Sequence, residues 1–226
     1  ELLDSQKIRA IGVCNFSNTE IIESQSIVGK DRVSALQTEF NLFERTVEYS
    51  GLLPYCDDNQ ISVLAYSPLD QGRFDKTSGK KREILDTIAR KHDKTVPQVI
   101  LRWLANHGPV VPIVRTTKLG HLDQNIESFA FDLDDNDIDE IREAYPVNII
   151  EVPTDRIRPS PTGEWGHTVY MTVEEALSNE AGFTPSPAEL AENVKSGEVL
   201  KPVRLTPSAS DKYDYDLIGG RIRYWA

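Results

Sequence analysis

The sequence is poor in thiols, nearly without methionine and free of long apolar runs. Cysteine occurs twice, at Cys14 and Cys56, which is too few for a disulfide framework or a cysteine-based metal site. No apolar stretch approaches the roughly 20 residues needed to cross a bilayer. Residues 1–7 (Glu-Leu-Leu-Asp-Ser-Gln-Lys) do not have the apolar centre of a secretory signal. Positive charge is in deficit, with 25 Lys and Arg against 36 Asp and Glu, a formal net charge of −11. Such a chain repels phosphate backbones, so bulk nucleic-acid binding is disfavoured and only a local basic pocket remains open. Few thiols and no export signal lead to an expected cytoplasmic location. The single methionine is Met171, the first residue is Glu1, and the last residues, Arg-Tyr-Trp-Ala226, form no tail. A piece of a longer protein, cut at both ends, is therefore expected.

A strand-then-helix rhythm runs through the first two thirds. Residues 8–15, 33–41, 61–67 and 110–115 read as strands rich in β-branched residues. Residues 61–67 are almost wholly apolar before Tyr66, as suits a parallel strand buried on both faces. Helices are expected over 17–28, 47–57, 81–92, 96–107, 118–129 and 136–144. Ser17 stands three residues before Glu20 as a helix-start signature, and Pro97 sits where a helix tolerates it. His92 and His107, near helix ends, are expected at the surface, complementing the helix dipoles.

Alternating strands and helices imply a parallel sheet with right-handed crossovers. Either a doubly wound open sheet or part of a (β/α)8 barrel fits. Polar residues collect at the C-terminal end of every strand: Cys14 and Asn15, Gln37, Tyr66 and Ser67, Arg115 and Thr116. Barrel sites are assembled there, one contribution per strand. The Gly-x-Gly-x-x-Gly turn of a dinucleotide-binding open sheet is missing. Both observations favour the barrel.

Chemically, an aromatic side chain at a strand end can stack on a flat heterocycle, and Tyr66 offers one. Asn15 and Gln37 each carry a donor and an acceptor on one side chain, as a carboxamide partner must. Arg115 suits a phosphate, and the hydroxyl of Thr116 adds a hydrogen bond. Taken singly, a Tyr or Asn at a strand end usually packs or caps, and Cys14 reads equally well as core filler. The case rests on several short motifs in order.

Those motifs resemble the aldo-keto reductase family over residues 1–147. The segment 7–17, Lys-Ile-Arg-Ala-Ile-Gly-Val-Cys-Asn-Phe-Ser, resembles a family stretch ending in Gly-Val-Ser-Asn-Phe. The segment 36–41, Leu-Gln-Thr-Glu-Phe-Asn, is similar to its Gln-x-Glu-x-Asn strand, and Tyr-Ser-Pro-Leu at 66–69 is identical to its turn. Residues 114–125, Val-Arg-Thr-Thr-Lys-Leu-Gly-His-Leu-Asp-Gln-Asn, resemble its last-strand phosphate motif. The resemblance implies an α/β fold: the C-terminal half of a (β/α)8 TIM barrel, strands five to eight with their helices. It implies NADP(H) as cofactor and a small carbonyl compound as substrate, reduced to an alcohol by hydride transfer. It assigns Tyr66 to the nicotinamide stack, and Cys14, Asn15 and Gln37 to the carboxamide. Ser67 and Leu69 fall near the pyrophosphate. Arg115, Thr116 and His121 fall near the 2′-phosphate, and Gln124 and Asn125 near adenine. Cys14 stands where the family has Ser, a stronger hydrogen bonder. No catalytic residue is assigned within this chain, because the family's Tyr, Lys, Asp and His belong to the first four strands, upstream of residue 1. On this resemblance the intact protein is an enzyme and this piece alone is inactive. The alternative is a nucleotide-binding regulatory or sensor protein built on a non-catalytic barrel.

From Pro146 onward the rhythm breaks and prolines crowd the sequence, which places a boundary near residue 148 and a second domain, truncated and α+β, over 148–226. A helix is expected over 185–195 and strands over 200–205 and 213–218. The order resembles a ParB/sulfiredoxin-like domain. That resemblance makes Gly219, Gly220, Arg221 and Arg223 candidates for a second nucleotide's phosphates, glycines allowing close approach and arginines adding charge. Arg221 stands where sulfiredoxins carry their catalytic Cys. Residues 149–226 hold 8 Lys and Arg against 12 Asp and Glu, which disfavours a DNA clamp.

Overall fold

The computed structural model describes residues 2–147, 152–159, 170–180, 182, 186–195, 203–219 and 224. The chain divides into two compact units, Glu1–Val147 and Asn148–Ala226.

The first unit follows the order β1 (Ile11–Cys14), α1 (Asn18–Val28), β2 (Val33–Glu39), α2 (Thr46–Tyr49), α3 (Leu52–Asp58), β3 (Ser62–Tyr66), α4 (Lys80–Lys91), α5 (Val96–Ala105), β4 (Val110–Pro112), α6 (Leu119–Glu127) and α7 (Asp135–Ala144). The strands form one sheet in the order β1-β2-β3-β4, and every pairing is parallel. Parallel neighbours need a crossover, and each gap between strands supplies at least one helix.

Local chemistry sets the element ends. Ser17 caps α1: its Oγ accepts from Glu20 N–H at 3.3 Å, while the Glu20 carboxylate takes Ser17 N–H at 2.6 Å. Thr95 opens α5 with Pro97 in the first turn, and Gln98 Oε1 accepts the Thr95 N–H at 2.9 Å. The single helix expected over 47–57 is broken in two, because Gly51 adopts φ 73°, a left-handed value that glycine reaches without cost. The fourth strand ends at Pro112, short of the expected Arg115. Pro112 has no N–H to give the ladder, and Ile113 makes the last rung by donating to Ala65 O at 2.8 Å.

Side chains along the strands alternate between two faces. Val13, Leu36, Val63, Ala65 and Val110 point to one face and join a single core with Ile21 of α1, Leu52 of α3, Leu85 and Ile88 of α4, Trp103 and Leu104 of α5, and Ile141 of α7. Gln37, Leu64 and Tyr66 point to the other face and take no part in that core. A doubly wound sheet would bury both faces. Here the helical core meets only one face of β3, and Leu64 and Tyr66 on the other are half-buried.

The core also holds charge. Arg45 is 2% exposed and donates Nη1–H to Tyr145 O at 2.8 Å, while its Nε–H pairs with the Glu48 carboxylate. Its guanidinium lies 5.1 Å from the Trp103 ring centroid. His107 Nε2 lies 2.7 Å from Glu48 Oε1, and its Nδ1 lies 2.9 Å from Trp103 O. His92 meets the buried Asp137 at 2.7 Å. The two histidines, expected at the surface, are instead half-buried and each is held to a carboxylate, Asp137 or Glu48.

The second unit is a separate three-stranded sheet in the order β5-β7-β6, built from β5 (Ile157–Arg158), β6 (Arg204–Pro207) and β7 (Tyr215–Gly219), with helices α8 (Val173–Ser178) and α9 (Pro187–Lys195). β5 runs parallel to β7 and β6 antiparallel to it. The bidentate pair Arg158 to Asp216 crosses from β5 to β7, and a second, Arg156 to Asp214, joins the residues just before the two strands. The helix and second strand match the expected regions with shifted ends. The strand expected over 200–205 begins at Arg204, and residues 200–202 lie outside the described ones.

The Glu48 carboxyl is pushed up by burial, but hydrogen bonds from His107 and Arg45 outweigh this and leave it below its usual 4.5. A depressed folded-state value means that its stabilisation is complete above pH 4.5 and is lost as pH falls through the folded value. Glu48→Gln leaves Arg45 without its counter-charge and should cost about 3 kcal/mol in urea unfolding at pH 7. The gap between the two proteins should close as the pH is lowered below 4.5. A gap that stays constant down to pH 3 would contradict this assignment.

Candidate functional site

The rim at the C-terminal ends of the strands gathers most of the residues singled out by sequence. Cys14 and Gln37 are register partners, and Asn15 N–H donates to Gln37 O at 2.7 Å. Gln37 pairs with Leu64, and Glu39 with Tyr66. Cys14, Gln37 and Tyr66 therefore lie on the same open face, Tyr66 two residues further toward the rim. Cys14 and Asn15 are exposed, whereas Gln37 and Tyr66 are half-buried. Cys14 is accordingly not core filler.

Backbone at the rim is left-handed where the strands stop: φ is 58° at Asn15 and 51° at Ser67. After Ser67 the chain passes Pro68 and Leu69 into a short 3-10 segment, Asp70–Lys76, in which Asp70, Gln71 and Gly72 also have positive φ. Non-glycine residues held this way cost roughly 1–3 kcal/mol each and persist only where their surroundings fix them. The fixing groups are visible. Asp70 N–H donates to Ser67 O at 2.9 Å, Gly72 N–H to Leu69 O at 2.9 Å, and Arg73 Nη2 reaches the buried Asp70 carboxylate at 2.8 Å. The Leu69 side chain packs against the core, so only its backbone can touch a ligand.

Arg115 and Thr116 lie beyond β4, in the segment leading to α6. Arg115 is exposed and forms no ion pair among the described residues. Thr116 Oγ1 accepts the Lys118 N–H at 3.1 Å, which shapes the start of α6. His121, Gln124 and Asn125 follow on α6 at one-turn spacing and share a face. His121 and Gln124 are exposed and Asn125 is half-buried. The Gln124 peptide is anchored to α5, its carbonyl accepting Gln98 Nε2–H at 3.0 Å.

Sequence reasoning assigned no role to Asn41, yet its side chain is 1% exposed and joins two rim loops. Its Oδ1 accepts the N–H groups of Phe43 and Glu44 at 2.9 and 2.8 Å, and its Nδ2 donates to Ser67 O at 3.3 Å. The usable signal was its place at the end of the Gln-x-Glu-x-Asn strand. In the second unit, Gly219 is the last residue of β7, while Gly220, Arg221 and Arg223 lie outside the described residues. Among the described residues no group of three or more His, Cys, Asp or Glu could hold a metal, and no helix is long and apolar enough to cross a membrane.

An exposed and a half-buried amide, a half-buried aromatic ring and an exposed guanidinium on one rim form a polar, aromatic and cationic surface suited to a phosphorylated heterocycle. The comparisons with known proteins agree with this class. The model of the aldo/keto reductase family matches residues 1–146, and the chain belongs to that family. The match stops one residue before the end of the first compact unit. Methylglyoxal reductase YeaE of Escherichia coli is 30% identical over 146 residues, covering 65% of this chain and 51% of that protein. Glyoxal reductase of Bacillus subtilis is 34% identical over 141 residues, covering 62% of this chain and 48% of that protein. The crystal structure of an aldo-keto reductase from Klebsiella pneumoniae in complex with NADPH superposes with a TM-score of 0.58 at 26% identity, covering 64% of this chain and 51% of that one. The chain thus spans about half the length of the curated relatives it matches.

Thiol reactivity checks the placement of the rim. Burial pushes the Cys56 thiol up to about 11, whereas Cys14 is exposed on the open face. A disulfide reagent at pH 8 should modify one thiol quickly and the second only after unfolding. Cys14→Ser should abolish the fast phase. Two fast thiols, or loss of the fast phase in Cys56→Ser instead, would contradict the assignment.

Proposed function

We propose that the first unit is the cofactor-binding half of an NADP-dependent aldo-keto reductase that reduces a carbonyl compound to an alcohol. On this reading its four strands are strands five to eight of an eight-stranded barrel, and the open face of the sheet lines the barrel's interior. The observation that carries it is the shared face of Cys14, Gln37 and Tyr66 at the strand ends, with Arg115 following the neighbouring strand.

The residues present fit the cofactor. Tyr66 offers a ring face for the nicotinamide, and its half-buried setting holds that ring in place. Gln37 and Asn15 each supply a donor and an acceptor for the carboxamide, and the Asn15–Gln37 backbone bond keeps the two together. Cys14 is the weak member of this set. The turn after Tyr66 borders the pyrophosphate, with Ser67 supplying a hydroxyl and Leu69 its backbone. Arg115 and Thr116 take the 2′-phosphate, with His121 in the first turn of α6 completing the group. Gln124 and Asn125 border the adenine. NADPH, when bound, supplies a hydride to the carbonyl carbon. The chain's own part is binding and orientation. On this reading, protonation of the carbonyl oxygen belongs to a tetrad on the other barrel half. The relatives named for methylglyoxal and glyoxal make small dicarbonyl compounds the first substrates to try.

For the second unit, we propose a ParB/sulfiredoxin-like fold with a nucleotide phosphate at Gly219–Arg223. Its support is the central strand β7 ending at the first of those glycines.

Arg115 separates this reading from a barrel that binds nucleotides without discrimination, as a sensor would. Arg115→Ala removes a charge-assisted contact to a group that NADPH has and NADH lacks. NADPH affinity should fall about 10- to 100-fold, with NADH affinity nearly unchanged. Equal losses for both, measured by fluorescence titration, would overturn the 2′-phosphate role.

A further inference from the structure

The backbone ladder between β2 and β3 stops at Tyr66, whose carbonyl accepts Phe40 N–H at 3.4 Å. Asn41 N–H, which by strand alternation faces away from β3, donates to Glu44 O at 3.0 Å. The Asn41 side chain makes the next contact from the end of β2 to the turn after β3. Its Nδ2 donates to Ser67 O at 3.3 Å, and its Oδ1 is held by the N–H groups of Phe43 and Glu44. Both lone-pair directions of that oxygen are occupied, so the amide plane has one orientation, with its donor aimed at Ser67.

Ser67 is also where the chain turns left-handed, φ 51°, directly after the stacking ring. Its carbonyl carries two bonds, one from Asn41 and one from Asp70 N–H at 2.9 Å. Two successive carbonyls, those of Tyr66 and Ser67, are thereby fixed from the β2 side. A strained residue between two fixed carbonyls leaves the peptide planes on either side no freedom to rotate, and the Tyr66 Cα–Cβ direction follows.

We propose that Asn41 is the positioning residue of the rim: it sets the Ser67 turn and thereby the direction in which Tyr66 presents its ring to the cofactor. This rests on the reading of Tyr66 as the nicotinamide-stacking residue. Asn41 touches no cofactor atom in this account and acts through Ser67.

Asn41→Asp is the decisive variant, because it keeps an acceptor oxygen for Phe43 and Glu44 and replaces the donor to Ser67 with a carboxylate oxygen that the Ser67 carbonyl repels. Two measurements on the whole chain read the result. In amide hydrogen exchange, the Asp70 and Gly72 N–H groups, which close the turn, should exchange at least tenfold faster, while Val63 N–H in the sheet, bonded to Pro109 O at 2.8 Å, should not change. In NADPH titration, affinity should fall about tenfold. Uniform acceleration at all three amides marks a general stabilising role and overturns the proposal. Local acceleration with unchanged NADPH affinity overturns the link from turn to ring. If the unsubstituted chain does not bind NADPH, the cofactor reading fails by itself, and the exchange pattern alone decides whether Asn41 sets the turn. Ser67→Gly added to Asn41→Asp provides a rescue, since glycine adopts the left-handed conformation without help. Recovery of slow exchange at Asp70 in the double variant supports the proposal, including where Asn41→Asp alone does not fold. Failure of the double variant to recover contradicts it.

Discussion

Strand register is the constraint on which the first unit depends. In a parallel pair, register partners point to the same side, and a slip of one residue moves every side chain to the opposite face. Leu36, Val63, Ala65 and Val110 are nearly fully buried beneath the helices. A slip would expose them and press Gln37 and Tyr66 into the core, an apolar loss of roughly 1.5–3 kcal/mol for each large side chain together with the cost of burying unpaired amides. The hydrophobic core thereby decides, without any contact to ligand, which polar groups reach the open face. Function in this unit is inherited from packing on its other side.

The rim then converts that placement into a shaped surface. β1 and β3 are followed by residues at positive φ, Asn15 and Ser67, and the turn at Ser67 is held by groups away from the open face: Asn41, and Asp70 with Arg73. Arg45 ties the loop after β2 to the carbonyl of Tyr145 at the end of α7. The same loop supplies Asn41 to the turn after β3. A loop between two elements is thus braced on both sides by buried polar side chains, which is how a rim of irregular backbone keeps a single geometry.

Much of this was legible beforehand. The four strands, the capping box at Ser17 and Glu20, and the convergence of Cys14, Gln37 and Tyr66 follow from β-branched runs, turn chemistry and side-chain alternation, all of which are local. What was not legible depends on tertiary partners. Arg45 was given no place from sequence, and only the folded positions of Glu48, Trp103 and Tyr145 make its burial tolerable. His107 reads as a helix-end cation for the same reason. The break at Gly51 and the early stop at Pro112 were visible as residue types, but not as outcomes, since a glycine or proline inside an element bends, ends or spares it according to its neighbours. The apolar run of β3 suggested burial on both faces, whereas the helical core meets only one. Asn41 stands in a motif without a visible role as a brace, because nothing in sequence says that its side chain reaches the Ser67 carbonyl.

The central claim is that side chains far apart in sequence meet on one rim and grip one phosphorylated nicotinamide. A titration of the isotope-labelled chain with NADPH, followed by backbone amide shifts, tests it most directly. The account predicts that saturable shifts concentrate at 14–15, 37, 66–69 and 115–125, with the outer surfaces of α4 and α5 silent. Shifts confined to those outer surfaces, or spread evenly over the chain without saturation, would contradict it.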